Sequence, residues 1–155
     1  MRKIAAVETL GSCAIICTDK TGTLTEGKMR CVQIHTGSTD YEVSGKGFDP
    51  TVGSVGAKGA KPDDSLAFSA DDDRKSDPNV RGMLTSALLC CSTTLSQEAD
   101  DAGELKWTPK GNSSEAPIVV VAAKLGIWAK DLEPKFPVVT EIPFSSSRKM
   151  MAIVC

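Results

Sequence analysis

Apolar residues recur at helical spacing in two parts of the chain. Between 80 and 91 their i, i+3, i+4, i+7 spacing predicts an amphipathic helix with Asp77-Pro78 as its start. A second helix is predicted from Ser114 to Lys124 with Gly126 as its stop, because a cap at Ser114 places Pro117 where no backbone hydrogen bond is lost. The apolar positions of the first helix are Val80, Met83, Leu84, Ala87, Leu88 and Cys91.

Other apolar segments are too short for helices and predict strands. Residues 13–18, CAIICT, form a short continuous apolar run bounded by polar residues, as is typical of a strand buried on both faces of a parallel sheet. Loose alternation over Met29–Thr36, followed by Val43 after the Gly37-Ser38 break, predicts a hairpin. Further strands are predicted at 104–108, 138–144 and 149–155.

The polar stretches predict connections. Residues 44–79 are rich in Gly, Pro, Asp and Lys, so we expect a long surface loop, with a short helix near Ser65–Ser69. Asp71–Asp73 are interpreted as a solvated acidic tip, because a calcium loop needs defined oxygen spacings and a distal Glu. Residues 97–104 are interpreted as an acidic connection.

Composition narrows the possible partners. The chain has 155 residues, 41% of them hydrophobic, which suffices for the core of one domain or for pieces of two. A formal net charge of −2 gives no broad basic field, so nucleic acid is not expected as a partner. The sequence contains no apolar run of the roughly 18–20 residues that a membrane helix needs. We therefore expect this segment to lie in the cytosol.

The segment that follows the first predicted strand carries candidate chemistry. Asp19 would lie at the end of a buried strand, where open α/β sheets bind ligands. Lys20, several hydroxyls and the flexible Gly22 follow it, so that backbone groups can approach a phosphoryl group closely. The carboxylate of Asp19 can then act as a nucleophile and form an aspartyl phosphate. The second Asp that aspartyl-phosphate phosphatases carry as general acid and base is replaced here by Thr21, which favours a long-lived intermediate.

The complete motif, DKTGTLT at 19–25, resembles the phosphorylation motif of P-type cation-transporting ATPases. Residues 7–12 before it resemble the segment that leads from a membrane helix into the phosphorylation domain of these pumps. KGNSSE at 110–115 resembles an element of their nucleotide-binding domain, and EIPFSSSRKMM at 141–151 resembles a strand and turn of the same domain. Together they favour the branch of calcium pumps and their relatives.

The resemblance implies a fold class of α/β plus α+β. Residues 1–28 would hold the stalk end and the first strand of a Rossmann-like (HAD-like) phosphorylation domain. Residues 29–155 would form a partial nucleotide-binding domain with antiparallel sheet and two helices, with 44–79 as its long loop.

The resemblance also implies roles for individual residues. Asp19 would be the phosphorylated nucleophile and, with the main-chain carbonyl of Thr21, a ligand of Mg²⁺, while Lys20 would neutralise charge on the transferring group.

Three further residues would line the ATP site. Phe144 can stack on adenine, Glu115 can accept a hydrogen bond from its amino group, and Lys149 can reach the phosphates.

The implied function is that of a pump fragment. The intact protein would be a membrane enzyme that uses MgATP to drive a cation, calcium by this resemblance, across the membrane. Its partners would be ATP, the cation and the remainder of the pump with its membrane helices. We expect the isolated chain to be inactive. Two alternatives stay open: a soluble HAD-type aspartyl-phosphate phosphatase, and a standalone nucleotide-binding module without catalysis.

Overall fold

The computed structural model describes residues 4–60, 77–99 and 103–155. The helix predicted at Ser65–Ser69 and the acidic tip at Asp71–Asp73 lie outside the described residues. In chain order the elements are α1 (Ile4–Gly11), a single wide turn that we call the motif turn (Lys20–Leu24), β1 (Gln33–His35), β2 (Asp40–Val43), β3 (Val55–Ala57), α2 (Pro78–Leu89), β4 (Thr94–Ala99), β5 (Leu105–Lys110), α3 (Ala116–Lys124), α4 (Ala129–Leu132), β6 (Thr140–Ser145) and β7 (Met150–Val154).

The strands form three separate antiparallel sheets. One has three strands in the order β1-β2-β3, and β4-β5 and β6-β7 are two-stranded. In the first sheet Ile34 pairs with Tyr41, and Val43 pairs with Val55. All four side chains are buried, because alternate residues of each strand point to the same face. The hairpin predicted around Gly37-Ser38 is confirmed.

The main core lies between this sheet and the helices α2 and α3. Val80, Leu84 and Leu88 of α2 are buried, at the helical spacing that the sequence predicts. The Asp77 side chain caps α2 by accepting a hydrogen bond from Asn79 N at 2.7 Å, and the Tyr41 hydroxyl also donates to Asp77. The predicted helix and its start are therefore confirmed, and the cap ties α2 to the sheet.

The strand predicted at 13–18 does not form. This segment has an irregular backbone, and Ile15 and Ile16 are 81% and 64% exposed. A strand in a parallel sheet takes its backbone hydrogen bonds from neighbouring strands. No strand among the described residues pairs with this segment, so its apolar character alone does not make it a strand.

Two predicted connections contain strands. β3 lies within the predicted loop 44–79, and its Val55 is only 1% exposed, so at least this part of the loop is ordered. β4 (Thr94–Ala99) includes the start of the predicted connection 97–104, because it pairs with β5 along six residues. In both cases cross-strand pairing stabilises sequences of low intrinsic strand propensity. β5 also extends beyond the predicted strand at 104–108 to include Pro109.

The helix predicted from Ser114 begins two residues later, at Ala116, so the predicted Ser114 cap is wrong. The side chain of Asn112 instead accepts a hydrogen bond from Ser114 N at 2.9 Å, which forms a turn before the helix. Pro117 lies in the first turn of α3, where it costs no backbone hydrogen bond. The short helix α4 that follows was not predicted.

The hairpin β6-β7 agrees with the two strands predicted at 138–144 and 149–155. Several of its apolar side chains are exposed, among them Ile142 by 43% and Met150 by 55%. None of the described helices has both the length and the apolar character that a membrane crossing requires.

Gly53 allows two chain segments to approach closely. Its φ is +86°, and a Cβ there would lie 2.4 Å from Ser44 O. Gly59 has a similar φ of +80°, but no atom of the described residues lies within 4 Å of a Cβ placed there. We expect Gly53→Ala to lower the free energy of unfolding by about 2 kcal/mol more than Gly59→Ala, because only Gly53→Ala adds a clash with backbone to the left-handed strain. Urea unfolding of both variants measures this difference, and equal losses would contradict it.

Candidate functional site

The motif turn holds Asp19 at its start through local hydrogen bonds. Asp19 Oδ1 accepts from Lys20 N at 2.7 Å, and Thr25 N donates to Lys20 O at 3.1 Å to close the turn. The Thr25 hydroxyl lies 3.3 Å from Lys20 O and accepts from Gly22 N at 3.4 Å. Gly22 has a φ of 80°, which an L-residue adopts only with strain. The sequence DKTGTLT therefore folds into a compact turn that the Thr25 hydroxyl and local backbone hydrogen bonds stabilise.

The chemical groups of this turn are open to solvent. Asp19, Lys20 and Thr21 are all exposed, so a ligand can reach the carboxylate. The backbone of Thr21 is extended inside the turn, with φ −80° and ψ 120°. A carboxylate and a carbonyl are donors that Mg²⁺ accepts, but they supply only part of its usual six ligands. In the described part of the chain, no group of three or more His, Cys, Asp or Glu side chains could hold a metal.

Glu115 lies just before α3 and holds the segment between α2 and β4. Its Oε2 accepts from Ser92 N and Thr93 N, both at 3.0 Å. The Ser92 hydroxyl donates to the same oxygen at 3.3 Å. The Thr93 hydroxyl lies 2.8 Å from Oε2 and 3.1 Å from Asn112 O, and its one proton serves one of them at a time. Glu115 thus connects the start of one helix to the end of another.

The hydrogen bonds that Glu115 accepts lower its pKa by more than its partial burial raises it. Partial burial raises the pKa of this carboxyl, but the hydrogen bonds from Thr93 and Ser92 favour the charged form, and the pKa lies below its ordinary value. Glu115 is therefore ionised at neutral pH and can bind backbone N–H groups strongly.

Gly111 allows the Glu115 loop to pack on Thr93. A Cβ at Gly111 would lie 2.7 Å from Thr93 Oγ1 and 2.9 Å from Thr93 Cα. Thr93 is 2% exposed, so this contact is inside the protein. Sequence reasoning missed Ser92 and Thr93. The only signal for them is a pair of hydroxyl residues just after a helix, and such pairs are common.

Phe144 and Lys149 lie at the turn of the β6-β7 hairpin. Phe144 is 60% exposed and falls where the strand register shifts, between Ile142 and Ser145. Lys149 N donates to Ser145 O at 2.8 Å. Lys149 has a φ of 53°, and no other described non-glycine residue has a positive φ. Strained backbone of this kind persists where the surrounding structure fixes it and is frequent at functional sites.

The predicted site residues form three groups. Asp19, Lys20 and Thr21 share the motif turn, Phe144 and Lys149 share the hairpin, and Glu115 lies at the start of α3. Among the residues that the structure describes, no hydrogen bond or ion pair joins one group to another. The aromatic face and the cation of the hairpin are open to a ligand, whereas Glu115 Oε2 is already occupied by protein donors.

Comparison with known proteins agrees with the sheets and helices of the second part of the chain. Residues 79–155 match the family model described as P-type ATPase, cytoplasmic domain N. Antiparallel sheets with few helices fit such a domain. Since relatives named as cation-transporting ATPases also match over nearly the whole chain, the chain belongs to the P-type cation-transporting ATPases.

Three relatives illustrate the match. The cation-transporting ATPase pma1 of Synechocystis sp. is 34% identical over 98% of this chain and 16% of the relative. The P-type sodium-transporting ATPase4 of Toxoplasma gondii is 36% identical over 99% of this chain and 15% of the relative. The calcium-transporting ATPase of Bacillus subtilis is 30% identical over 99% of this chain and 16% of the relative. The chain thus spans about one sixth of the length of these relatives.

Proposed function

We propose that this chain is the segment of an ATP-driven membrane cation pump that accepts the γ-phosphoryl group of ATP on Asp19. The observation that carries this proposal is the motif turn, in which the Asp19 carboxylate is exposed at the start of DKTGTLT. Residues 1–28 would belong to the phosphorylation domain and residues 29–155 to the nucleotide-binding domain. The segment would lie on the cytosolic side of the membrane, and the remainder of the pump would be its partner.

The proposed chemistry is an in-line transfer. A carboxylate oxygen of Asp19 bonds to the γ-phosphorus while the bond from that phosphorus to the β,γ-bridging oxygen breaks, and ADP leaves. Lys20 balances the negative charge of the phosphoryl group during transfer. Asp19 and the Thr21 carbonyl would hold Mg²⁺, which neutralises charge on the phosphates when it is bound. Because Thr21 cannot act as a general acid and base as an Asp would, the aspartyl phosphate would persist.

ATP would bind at the β6-β7 turn. The exposed ring of Phe144 offers a stacking surface for adenine, and the Lys149 ammonium offers a charge for the phosphates. Glu115 would accept from the adenine amino group through the oxygen that is not bonded to Ser92 and Thr93. Its stronger contribution is to the shape of the domain around that site.

The transported ion is proposed from the motifs alone to be calcium. The named relatives include a calcium transporter and a sodium transporter, and both are similar to this chain over nearly its whole length. Uptake of radioactive ⁴⁵Ca²⁺ and ²²Na⁺ into vesicles that contain the pump tests the choice. The ion that is taken up should also stimulate phosphorylation.

Titration with ATP tests the nucleotide site. We expect saturable NMR shifts of the amides at Phe144 and Lys149, with a dissociation constant on the order of 1 mM. Lys149→Gln should weaken binding roughly fivefold, because it removes one of the charges that face the phosphates. Lys135→Gln is the matched control, since Lys135 is an exposed lysine that makes no predicted contact with ATP.

The outcomes separate the candidate functions. Equal effects of Lys149→Gln and Lys135→Gln would contradict the proposed ATP site. ATP binding without any aspartyl phosphate in the intact protein would indicate a nucleotide-binding module. Rapid hydrolysis of small phosphate esters with no preference for ATP would indicate a phosphatase.

A further inference from the structure

A cleft of about 390 Å³ lies immediately after the motif turn. One wall is formed by residues 26–30, and the other by the loop that follows β2, residues 46–48. We call it the basic cleft, because Lys28, Arg30 and Lys46 line it. Its volume falls in the range of about 300–1,000 Å³ that is typical of small-molecule sites. None of the residues predicted for phosphorylation or for ATP binding lines it.

The basic cleft has an excess of positive charge. Glu26 is the one carboxylate among its lining residues. In the described part of the chain, neither Glu26 nor any other carboxylate forms an ion pair with Lys28, Arg30 or Lys46. The chain as a whole has a net charge of −2, so this local excess is not a general property of its surface. Cations that share a concave surface without counter-ions attract small anions.

The loop that carries Lys46 is held in place from two sides. Arg30 Nη1 donates to Gly45 O at 2.8 Å. From the end of α3, the Lys124 ammonium donates to Val52 O and lies 3.5 Å from Asp49 O. Burial lowers the pKa of Lys124, and the charge of Asp49 offsets this effect only in part. The lowered pKa agrees with the enclosed position of the ammonium group.

The backbone of the loop is shaped by glycine. Gly45 and Gly47 flank Lys46 with φ of 96° and 72°, a conformation that other residues adopt only with strain. A Cβ at Gly45 would lie 2.2 Å from Val52 O, so the start of the loop packs closely against its end at Val52. Lys46 is therefore presented by a fixed loop, and little conformational entropy of the backbone is lost when a ligand binds.

An aromatic ring also lines the basic cleft. Phe48 is half-buried, and the Lys28 ammonium lies 5.9 Å from its ring centroid. This cation–π contact orients Lys28 without neutralising its charge. Arg30 uses one of its five N–H donors on Gly45 O, and the others remain for an anion. A phosphate group, with several oxygens and two or more charges, suits such an arrangement better than a single carboxylate.

We propose that the basic cleft binds a small phosphate-bearing anion, of the size of pyrophosphate, through Lys28, Arg30 and Lys46. The anion can be a soluble phosphate compound or the headgroup of an anionic lipid, which share this chemistry. Binding here does not depend on the proposed pump function, because no residue of the motif turn or of the β6-β7 turn takes part.

NMR titration of the chain with sodium pyrophosphate tests this site. We expect saturable shifts at the amides of Gly45 and Gly47, and binding that weakens as the salt concentration rises. Lys28→Gln and Lys46→Gln should each weaken binding roughly fivefold, because each removes one charge from the cleft. Lys135→Gln, an equal loss of charge on an exposed lysine outside the cleft, should leave the affinity unchanged.

Two results would overturn the assignment. The first is that Lys28→Gln and Lys46→Gln bind pyrophosphate as tightly as the unchanged chain. The second is that Lys149→Gln alone abolishes the shifts, which would place the anion at the β6-β7 turn.

Sedimentation with vesicles that contain phosphatidic acid distinguishes soluble phosphates from lipid headgroups as the source of the anion. Vesicle binding that requires Lys28 and Lys46 and that persists at pyrophosphate concentrations well above the dissociation constant of pyrophosphate assigns the cleft to lipid headgroups, whereas full displacement near that constant together with weak vesicle binding assigns it to soluble phosphates.

Discussion

Asp19→Asn is expected to abolish the transfer of phosphate from ATP to the pump that contains this chain. The amide oxygen of Asn is a poor nucleophile, so the acyl phosphate cannot form at this position. We expect phosphorylation to fall by at least about 1,000-fold, as is typical when an enzyme loses its nucleophile. The variant should fold normally, because an Asn side chain can still accept the hydrogen bond that Asp19 Oδ1 receives from Lys20 N at 2.7 Å.

The measurement is incorporation of ³²P from labelled ATP, with an acid quench followed by hydroxylamine. An acyl phosphate survives acid and is cleaved by hydroxylamine, whereas phosphoserine and phosphothreonine resist hydroxylamine. Asp131→Asn is the matched control, because Asp131 is an exposed carboxylate on α4. Label that persists in Asp19→Asn and remains sensitive to hydroxylamine would show that another carboxylate is the nucleophile.

The sequence predicted best those elements whose signals are local. The helix α2 has regularly spaced apolar residues and a start signal at Asp77-Pro78, and both features act within a few residues. The hairpin β1-β2 likewise depends on alternation and on a turn between its strands. The strands β3 and β4 were not predicted, because they contain Gly or polar residues that favour connections, and pairing with β2 and β5 stabilises them.

The error at residues 13–18 has the same physical origin. CAIICT is apolar enough for a buried strand, but strand formation needs hydrogen bonds from a neighbour, and no described strand lies beside it. An apolar run indicates that a segment can be buried, but it does not identify the strand that would pair with the segment. Its large exposed side chains are consistent with the proposal that the remainder of the pump is the partner of this chain.

The sequence predicts individual site residues but not the hydrogen bonds that connect them to the rest of the chain. Asp19 and Phe144 are exposed, and their contact with a ligand stays a prediction. The contact between Glu115 and residues 92 and 93 was not foreseen, since it joins positions 22 and 23 residues apart and no pattern of that length exists in a single sequence. Residues that are predicted to touch a ligand can therefore also have a structural role.

Glu115 separates these two roles in an experiment. Glu115→Ala is expected to lower the free energy of unfolding by about 3 kcal/mol, because the N–H groups of Ser92 and Thr93 lose a charged acceptor and Thr93 is almost fully enclosed. Glu141→Ala, which removes an exposed carboxylate from β6, should change it by less than about 0.5 kcal/mol. Urea unfolding at pH 7 measures both values.

The pH dependence identifies the charged form as the stabilising one. The folded-state pKa of Glu115 lies below its usual value of 4.5, so its contribution is fully present above that value and is lost as the pH falls through the folded-state pKa. Glu115→Gln keeps the size and one acceptor oxygen of the side chain but removes the charge. Its stability should therefore be lower than that of the unchanged chain at pH 7, and the difference should shrink as the pH is lowered below 4.5.

If Glu115→Ala weakens ATP binding without loss of stability, Glu115 acts through the nucleotide alone. If both fall together, and hydrogen exchange at the Ser92 and Thr93 amides accelerates, Glu115 acts by holding the end of α2 against the start of α3.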